Sequence, residues 1–316
     1  MKISYKYIVS KKIVLLNRFY TVKIIIKAMK IKRIVFSALF LVSGLTIASA
    51  QVKLSFNPGK GKKYEYQTEV TLTNFLDQNV QMKTELNIKY LMEVFDKTPH
   101  EITVQYTYNE LIYNVSSPLI NVKYASKNPV ENASDMDQMF HKMFSKIIDQ
   151  SFTMIYAPNG SVKSITGMDV ITEGMISAIT DVNPKLAQIG GIMSHLFDEN
   201  SIKEMFEQSV KFYPKDAVRV GDSWNIETSS VVNTLKTKYT LKSISKKIAT
   251  IDVEGEAEYI INTKGSTSLT GTMIVNAKTG LLVMGDVKST ISTQLGKNTQ
   301  METITNTKTS IKEVKK

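Results

Sequence analysis

The sequence contains no cysteine and only three histidines among 316 residues. The absence of cysteine excludes a disulfide framework, a thiol nucleophile, a thiolate metal site and a lipidated N-terminal cysteine. His100, His141 and His195 are scattered, and none has a second histidine or a carboxylate at metal-binding spacing. We therefore expect no metal and no cofactor.

A concentrated basic surface is also missing from most of the chain. The net charge is +11, but residues 1–50 hold 10 of the 40 Lys and Arg residues and no acidic residue. The remaining residues carry 30 basic and 29 acidic side chains. Because nucleic-acid binding depends on a concentrated basic face, we expect no nucleic-acid partner.

Residues 29–50 have the three parts of a secretory signal peptide. A basic stretch at 29–33 precedes an apolar run at 34–47, and Ala48-Ser49-Ala50 follows. The alternative is a transmembrane anchor, but the run is shorter than the ~20 residues that a bilayer requires and lacks a stop-transfer charge cluster. We therefore predict cleavage after Ala50 and a mature chain without a transmembrane anchor, exported to the periplasm or the outside of the cell and soluble there.

Residues 1–28 precede this signal peptide and are basic and aliphatic. A signal peptide behind 28 such residues would be unusual, so we interpret them as a mis-called upstream start. The alternative is that the N-terminus is one long amphipathic tail. In either case the folded domain is expected to begin at Gln51.

From residue 63 to about 126 the apolar residues alternate with polar ones. Met82 to Val94 place apolar side chains on one face and Lys and Glu on the other, and residues 102–112 repeat the pattern. Pro99 lies in the turn between them, where a strand must stop. These two segments are predicted to form an antiparallel hairpin.

The apolar spacing becomes helical between residues 132 and 210. It predicts helices at 134–148, 168–179 and 186–196 and around 202–206, with Ser134 and Ser201 as N-caps. A hairpin at 152–165 interrupts them and turns at Pro158-Asn159-Gly160. After Pro214 alternation returns, and we predict six strands, at 224–228, 233–245, 249–262, 266–276, 281–294 and 300–312.

The two strand-rich blocks share a weak internal repeat. Gly61-Lys62-Lys63-Tyr64 opens the first block and Gly221-Asp222-Ser223-Trp224 opens the second. Residues 154–160 recur as 273–280 with one residue inserted. Such a pattern indicates an ancient duplication, although any two meanders can share glycine turns and aromatic strand starts.

The runs at 56–66, 156–160 and 218–224 resemble a family of secreted bacterial proteins known only as a domain of unknown function. The layout of the chain also resembles the half-barrel of periplasmic lipoprotein carriers, in which helices fill an apolar concave face. We therefore predict an α+β fold, mainly antiparallel β, with a large curved sheet or half-barrel and helices packed on its concave face. Residues 51–316 would form a single β-rich domain with a helical insertion at about 132–210.

Short motifs that match catalytic sites occur in the sequence, but the surrounding residues do not support a catalytic role. Ser243-x-x-Lys246 and Lys278-Thr279-Gly280 match elements of penicillin-recognising enzymes, but Ser243 lies near the end of a predicted strand and the helical domain between the motifs is absent. The acidic row Asp252, Glu254, Glu256 and Glu258 lies opposite an apolar face and is predicted to be solvated. We therefore expect no enzyme, with an esterase or glycosidase as a third choice.

Methionine is the feature that suggests a binding role. Eight of the 15 methionines lie between residues 136 and 205, on or beside apolar helix faces, and methionine adapts to varied apolar shapes. The predicted ligand-binding residues are Met136, Met139, Met143, Met175, Met193, Met205, Tyr90, Tyr106 and Tyr108. The simpler interpretation is that the methionines fill gaps in an ordinary core.

Two classes of function follow. The first is an exported non-enzymatic binding protein that holds an apolar small molecule, a lipid-like ligand or a lipidated protein between sheet and helices. The second is a structural or protein-interaction module with a solid core. The two differ in whether apolar volume remains unfilled between helices and strands.

Overall fold

The structure is a computed structural model that describes residues 51–127, 135–182, 199–229, 233–259, 265–295 and 299–315. The chain divides after Ala50 into two units, and all described residues belong to the second. The proposed signal peptide at 29–50, residues 1–28 and the helix predicted at 186–196 lie outside the described residues. Among the residues described, no helix is both long and apolar enough to span a membrane.

Strands dominate the described part of the chain, which confirms the predicted α+β, mainly antiparallel class. In chain order the elements are β1 (Lys63–Leu76), β2 (Asn79–Lys97), β3 (Ile102–Ser116), β4 (Asn121–Ala125), α1 (Asp135–Phe144), β5 (Ser151–Tyr156), β6 (Val162–Thr166), α2 (Met168–Val182), α3 (Glu199–Val210), β7 (Ser223–Ser229), β8 (Asn233–Ser245), β9 (Ile248–Tyr259), β10 (Gly265–Asn276), β11 (Leu282–Gln294) and β12 (Gln300–Val314).

The strands form one 12-stranded sheet in the order β6-β5-β3-β2-β1-β12-β11-β10-β9-β8-β7, with β4 paired to β3 outside this path. The predicted hairpin of β2 and β3 is present, as is the hairpin of β5 and β6. Strands β7 to β12 form the predicted meander. The two strand blocks join where the first strand, β1, pairs antiparallel with the last strand, β12.

The three described helices differ from their predicted bounds, and α2 continues to Val182 instead of ending at Ile179. Helix α1 ends at Phe144 instead of Ile148, because the chain turns back to the sheet: Ile148 bridges to Tyr108, and the Asp149 N–H donates to the Tyr108 carbonyl at 2.8 Å. Ile147 is still buried, so the apolar pattern continued although the helix did not. Helix α3 begins at Glu199 and therefore contains Ser201, which was predicted as its cap.

The sheet is strongly curved. Tyr106 on β3 and Tyr239 on β8 line the same cavity of about 430 Å³. Seven strand spacings separate β3 from β8, which would place these residues about 34 Å apart in a flat sheet. Phe206 of α3 lies 4.8 Å from Tyr106, ring centre to ring centre, so this helix packs on the concave face as predicted.

The hydrophobic core has two clusters on this concave face. The larger cluster joins β1 to β6 with the three helices. The smaller one joins β8, β9 and β10 with Leu54, Phe212 and Val218. Tyr213 packs against both clusters. It therefore links the two strand blocks across the inside of the curve.

The glycine turns of the internal repeat are built alike. The Gly61 N–H donates to Val94 and the Val94 N–H donates to Lys62, both backbone to backbone. Gly221, Leu241 and Asp222 make the same pair of bonds in the second block. Gly61 and Gly221 have φ values of 72° and 96°, a region that favours glycine. The repeated glycines thus serve the same turn in each block.

Candidate ligand-binding cavity

A cavity of about 430 Å³ lies between the concave face of the sheet and residues 206–213, which we call the strap. Its lining is aromatic and aliphatic, with three threonines. The lining residues are Phe56, Tyr66, Thr68, Ile88, Tyr90, Tyr106, Tyr108, Phe206, Val210, Phe212, Tyr213, Tyr239, Val253, Leu269, Met273, Leu281, Leu282, Val287, Thr307 and Thr309. Within the described part of the chain, no charged side chain belongs to this lining.

Strand register places the first half of the lining. Tyr66 of β1 lies opposite Tyr90 of β2, and Tyr90 lies opposite Tyr108 of β3. A register shift between Lys89 and Tyr90 brings Tyr90 into line with Tyr108, as a β-bulge does when it redirects a side chain. Three phenol rings from three neighbouring strands therefore form one row on the concave face.

The second half of the lining comes from the meander. Val253, Gly271, Val287 and Thr307 are successive partners across β9, β10, β11 and β12. Gly271 contributes no side chain in the middle of this row. A Cβ atom at Gly271 would lie 2.5 Å from the Asp286 carbonyl oxygen, which shows how closely β10 approaches β11 here.

The rings pack in a continuous aromatic cluster. Tyr66 and Tyr90 stack with ring centres 4.9 Å apart and an angle of 6° between their planes. Tyr90 lies 5.9 Å from Tyr106 and 6.1 Å from Tyr108. Tyr106 in turn stacks on Phe152 at 5.5 Å. Such contacts fix ring orientation beyond what burial alone does.

The tyrosine hydroxyls divide into two groups. Tyr106 shares a 2.9 Å hydrogen bond with Tyr156, and Tyr213 donates to the Gly280 carbonyl at 2.8 Å. The hydroxyls of Tyr66, Tyr90 and Tyr108 have no hydrogen-bond partner among the described residues. No described side-chain oxygen is both fully buried and unpaired. These three hydroxyls are therefore reachable from the space that their rings line.

Burial moves the pKa values of these phenols further above neutral pH. It raises the pKa of Tyr66 well above its ordinary value, with smaller contributions from neighbouring tyrosines. It raises the pKa of Tyr108 and of Tyr239 to about 12. The pKa of Tyr90 is also raised by burial. At neutral pH the cavity thus presents uncharged O–H groups on an apolar wall.

The strap is fixed at both of its ends. Phe206 contacts Tyr106 at 4.8 Å and Phe152 at 5.7 Å, so the strap begins on the first strand block. At the other end, the Trp224 indole N–H donates to the Phe212 carbonyl at 2.7 Å. Trp224 also stacks on Tyr239 at 5.8 Å, directly behind the lining. The sole tryptophan of the chain therefore lies next to the cavity.

Of the residues that the sequence suggested for binding, only some line the cavity. Tyr90, Tyr106 and Tyr108 belong to the lining. Met139, Met143 and Met175 are buried in the larger core cluster, with exposed fractions of 1%, 0% and 1%, and Met136 packs against it. None of these four methionines belongs to the lining. Met193 and the side chain of Met205 lie outside the described part of the chain.

Several lining residues were missed by sequence reasoning. Tyr239 shares the inward parity of its strand, and Tyr213 follows the last described helix. Alternation alone identified an apolar face in each block. It gave no sign that the two faces curve towards one another, which is what brings Tyr239 and Tyr108 into one cavity.

No residue of the rejected catalytic motifs belongs to the cavity lining. Ser243 is on β8, and Lys278-Thr279-Gly280 is in the turn between β10 and β11. Asp252 and Glu254 pair with Lys242 and Lys238 on the other face of β9. Among the described residues, no group of three or more His, Asp or Glu could hold a metal ion.

The family follows from a match over more than half of the chain. A model of DUF6263, described as a family of unknown function, matches residues 100–293. The chain belongs to DUF6263. The match confirms the resemblance to a domain of unknown function, and it includes the motifs at 156–160 and 218–224. No curated protein matches this DUF6263 chain.

Two solved structures are distantly similar to this DUF6263 chain. A structure of lipovitellin and its lipid–protein interactions has a TM-score of 0.45 and 11% identity over 80% of this chain. This chain spans only 25% of that lipovitellin chain. An outer membrane channel from Pseudomonas putida F1 has a TM-score of 0.22 and 9% identity, covering 85% of this chain and 100% of the channel. Neither likeness is close enough to assign a function.

Proposed function

We propose that this DUF6263 protein is an exported, non-enzymatic protein that binds an apolar small molecule in the cavity between the sheet and the strap. The observation that carries the proposal is the unfilled volume of about 430 Å³ with its aromatic and aliphatic lining. Protein interiors are otherwise packed with few voids larger than a water molecule. An engineered apolar cavity of about 150 Å³ already binds benzene.

The lining supports binding more than catalysis. General acid–base catalysis requires a titratable group with a pKa near the working pH. The titratable lining residues that the structure describes are tyrosines, and burial raises the pKa values of Tyr66, Tyr90 and Tyr108 further from neutrality. Apolar walls with a few polar groups are typical of sites that hold a ligand.

The binding test uses the neutral apolar fluorophore N-phenyl-1-naphthylamine. Because Trp224 stacks on the lining residue Tyr239, excitation of Trp224 should transfer energy to a fluorophore in the cavity. We expect saturable, one-to-one binding to the purified protein and a rise in Tm with ligand concentration. Binding without energy transfer from Trp224, or no binding, would contradict the proposed site.

A pair of matched variants locates the site. Thr307→Phe introduces a ring into the lining of the cavity, whereas Thr270→Phe makes the same change at an exposed position of β10. We expect Thr307→Phe to weaken fluorophore binding at least tenfold and Thr270→Phe to leave it unchanged. Equal effects of the two variants would place the fluorophore elsewhere.

A displacement experiment distinguishes a free ligand from a lipidated protein. The experiment is needed because both would place an apolar chain in the cavity. Displacement of the fluorophore by neutral small molecules would support a free ligand. Displacement by an N-acylated peptide but by no neutral molecule of the same chain length would point to a lipidated protein. No displacement by either, together with no fluorophore binding, would favour a structural or protein-interaction module.

A further inference from the structure

We infer that the ligand of this cavity is an uncharged molecule with a hydrogen-bond acceptor, which the hydroxyls of Tyr66, Tyr90 and Tyr108 bind. This inference rests on the proposed function and specifies the chemical class of the ligand. A wholly hydrocarbon ligand would leave the three hydroxyls unpaired. A fatty acid would bring a carboxylate into a lining that holds no cation among its described residues.

The arrangement of the three phenols supports an acceptor. They come from adjacent positions on β1, β2 and β3, with Tyr90 opposite both Tyr66 and Tyr108. The stacked pair Tyr66 and Tyr90, 4.9 Å apart, and Tyr108, 6.1 Å from Tyr90, form one small region of the wall. A hydroxyl that loses water on ligand binding needs a replacement partner, because an unpaired buried donor is costly.

Two other tyrosines of the lining differ from these three because their hydroxyls are already hydrogen-bonded within the protein. Tyr106 and Tyr213 also line the cavity, but their hydroxyls are paired with Tyr156 and with the Gly280 carbonyl. Their hydrogen bonds stabilise the fold without a ligand. The hydroxyls of Tyr66, Tyr90 and Tyr108 have no such partner within the described residues. Phenylalanine would supply the same ring for packing, so the fold does not require these three hydroxyls.

Size and charge further limit the ligand. A volume of about 430 Å³ holds about 14 groups the size of a water molecule at ~30 Å³ each. An ionised group would be transferred from water to an apolar wall without a counter-charge, which is strongly unfavourable. A bicyclic aromatic ketone or ester is of suitable size, and its carbonyl oxygen would accept from the phenols.

Three naphthalenes of similar size test the inference. We would measure the affinities of 2-acetonaphthone, 2-ethylnaphthalene and 2-naphthoate for the purified protein by displacement of N-phenyl-1-naphthylamine. They differ mainly in carrying a carbonyl acceptor, no acceptor, or a charge. We expect the ketone to bind at least as tightly as the more hydrophobic hydrocarbon, and the carboxylate to bind at least tenfold more weakly than either.

Phenylalanine variants connect this selectivity to the three hydroxyls. A neutral hydrogen bond of about 1 kcal/mol corresponds to about fivefold in affinity. At least one of Tyr66→Phe, Tyr90→Phe and Tyr108→Phe should therefore weaken the ketone about fivefold and leave the hydrocarbon unchanged. The matched control is Tyr113→Phe, since Tyr113 packs on Phe140 and Phe144 outside the lining and should change neither affinity.

The outcomes separate the two proposals. If the fluorophore and the hydrocarbon bind but the ketone keeps its affinity in all three single phenylalanine variants, the inference about the acceptor is wrong and the proposed function stands. If the carboxylate binds as well as the ketone, the inference of an uncharged ligand is wrong. If the fluorophore and all three naphthalenes fail to bind, the proposed function itself fails.

Discussion

Substitution of Gly271 tests how closely β10 approaches β11 beside the cavity. Gly271 lies on β10 between the lining residues Leu269 and Met273. The Cβ atom of an alanine there would lie 2.5 Å from the Asp286 carbonyl oxygen and 2.8 Å from the Val287 Cα atom. Because both are backbone atoms of β11, no side-chain rotation can relieve the contact.

The loss of stability expected for Gly271→Ala can be estimated from the 2.5 Å distance between the new Cβ atom and the Asp286 carbonyl oxygen. Even a close C–H···O contact has its carbon about 3.3 Å from the oxygen, so the two strands must separate by roughly 0.8 Å. Backbone shifts forced by overpacking cost about 1–3 kcal/mol. The smaller entropy of the unfolded alanine chain offsets about 0.4–1 kcal/mol of this cost. The central values, about 2 kcal/mol less about 0.7 kcal/mol, lead us to expect that Gly271→Ala lowers the free energy of unfolding by about 1–2 kcal/mol.

The assay compares Tm values from calorimetry and unfolding midpoints in urea. A loss of about 1–2 kcal/mol corresponds to a fall in Tm of about 2–8 °C for a domain of this size. Gly174→Ala is the matched control, because Gly174 lies within α2 and its new Cβ would have only ordinary contacts, the nearest at 3.7 Å from Lys146. Alanine is favoured over glycine in a helix by about 1 kcal/mol, so this control should raise Tm.

The two alanine variants thus have opposite expected signs. A Gly271→Ala protein as stable as the wild type would refute the close approach of β10 to β11.

Three further predictions concern the strap and the phenols. Phe206→Ala should lower the free energy of unfolding by about 3 kcal/mol in urea, since its ring packs on the first strand block. Tyr213→Phe removes one hydrogen bond to Gly280 and should cost about 1 kcal/mol in the same assay. Burial raises the pKa of Tyr108 and Tyr239 to about 12, so the unfolded state loses its phenol protons at a lower pH than the folded state does. The free energy of unfolding should therefore fall as the pH rises from about 10 to about 12. A Tyr108→Phe protein whose free energy of unfolding falls as steeply would contradict this.

The fold was predictable to the extent that it is local. Alternation identified β2, β3 and the meander, because side chains on a half-buried strand point to opposite faces in turn. Glycine turns such as the one at Gly160, with φ of 86°, were readable because few other residues adopt that conformation. The end of α1 was not predictable from the sequence. The helical spacing of apolar residues continues past Phe144, but the chain there leaves the helix, and Ile148 forms a bridge to Tyr108.

The cavity was only partly predictable, because its lining depends on pairing between distant strands. Tyr90, Tyr106 and Tyr108 lie on two consecutive strands, and their shared face was readable from the sequence. Tyr239 joins them only because the sheet continues from β1 through β12 and curves. Methionine content did not separate lining from core, since Met143 is buried in the larger core cluster and not in the lining.

The pairing of β1 with β12 affects how the protein is made. Lys62 donates to Glu313 at 2.7 Å across 251 positions of sequence, so contacts of very high sequence separation lie at the centre of the sheet. Such contacts form late, since loop closure must precede them. During synthesis β1 therefore has one unpaired edge until β12 has emerged, and an unpaired strand edge favours association between chains.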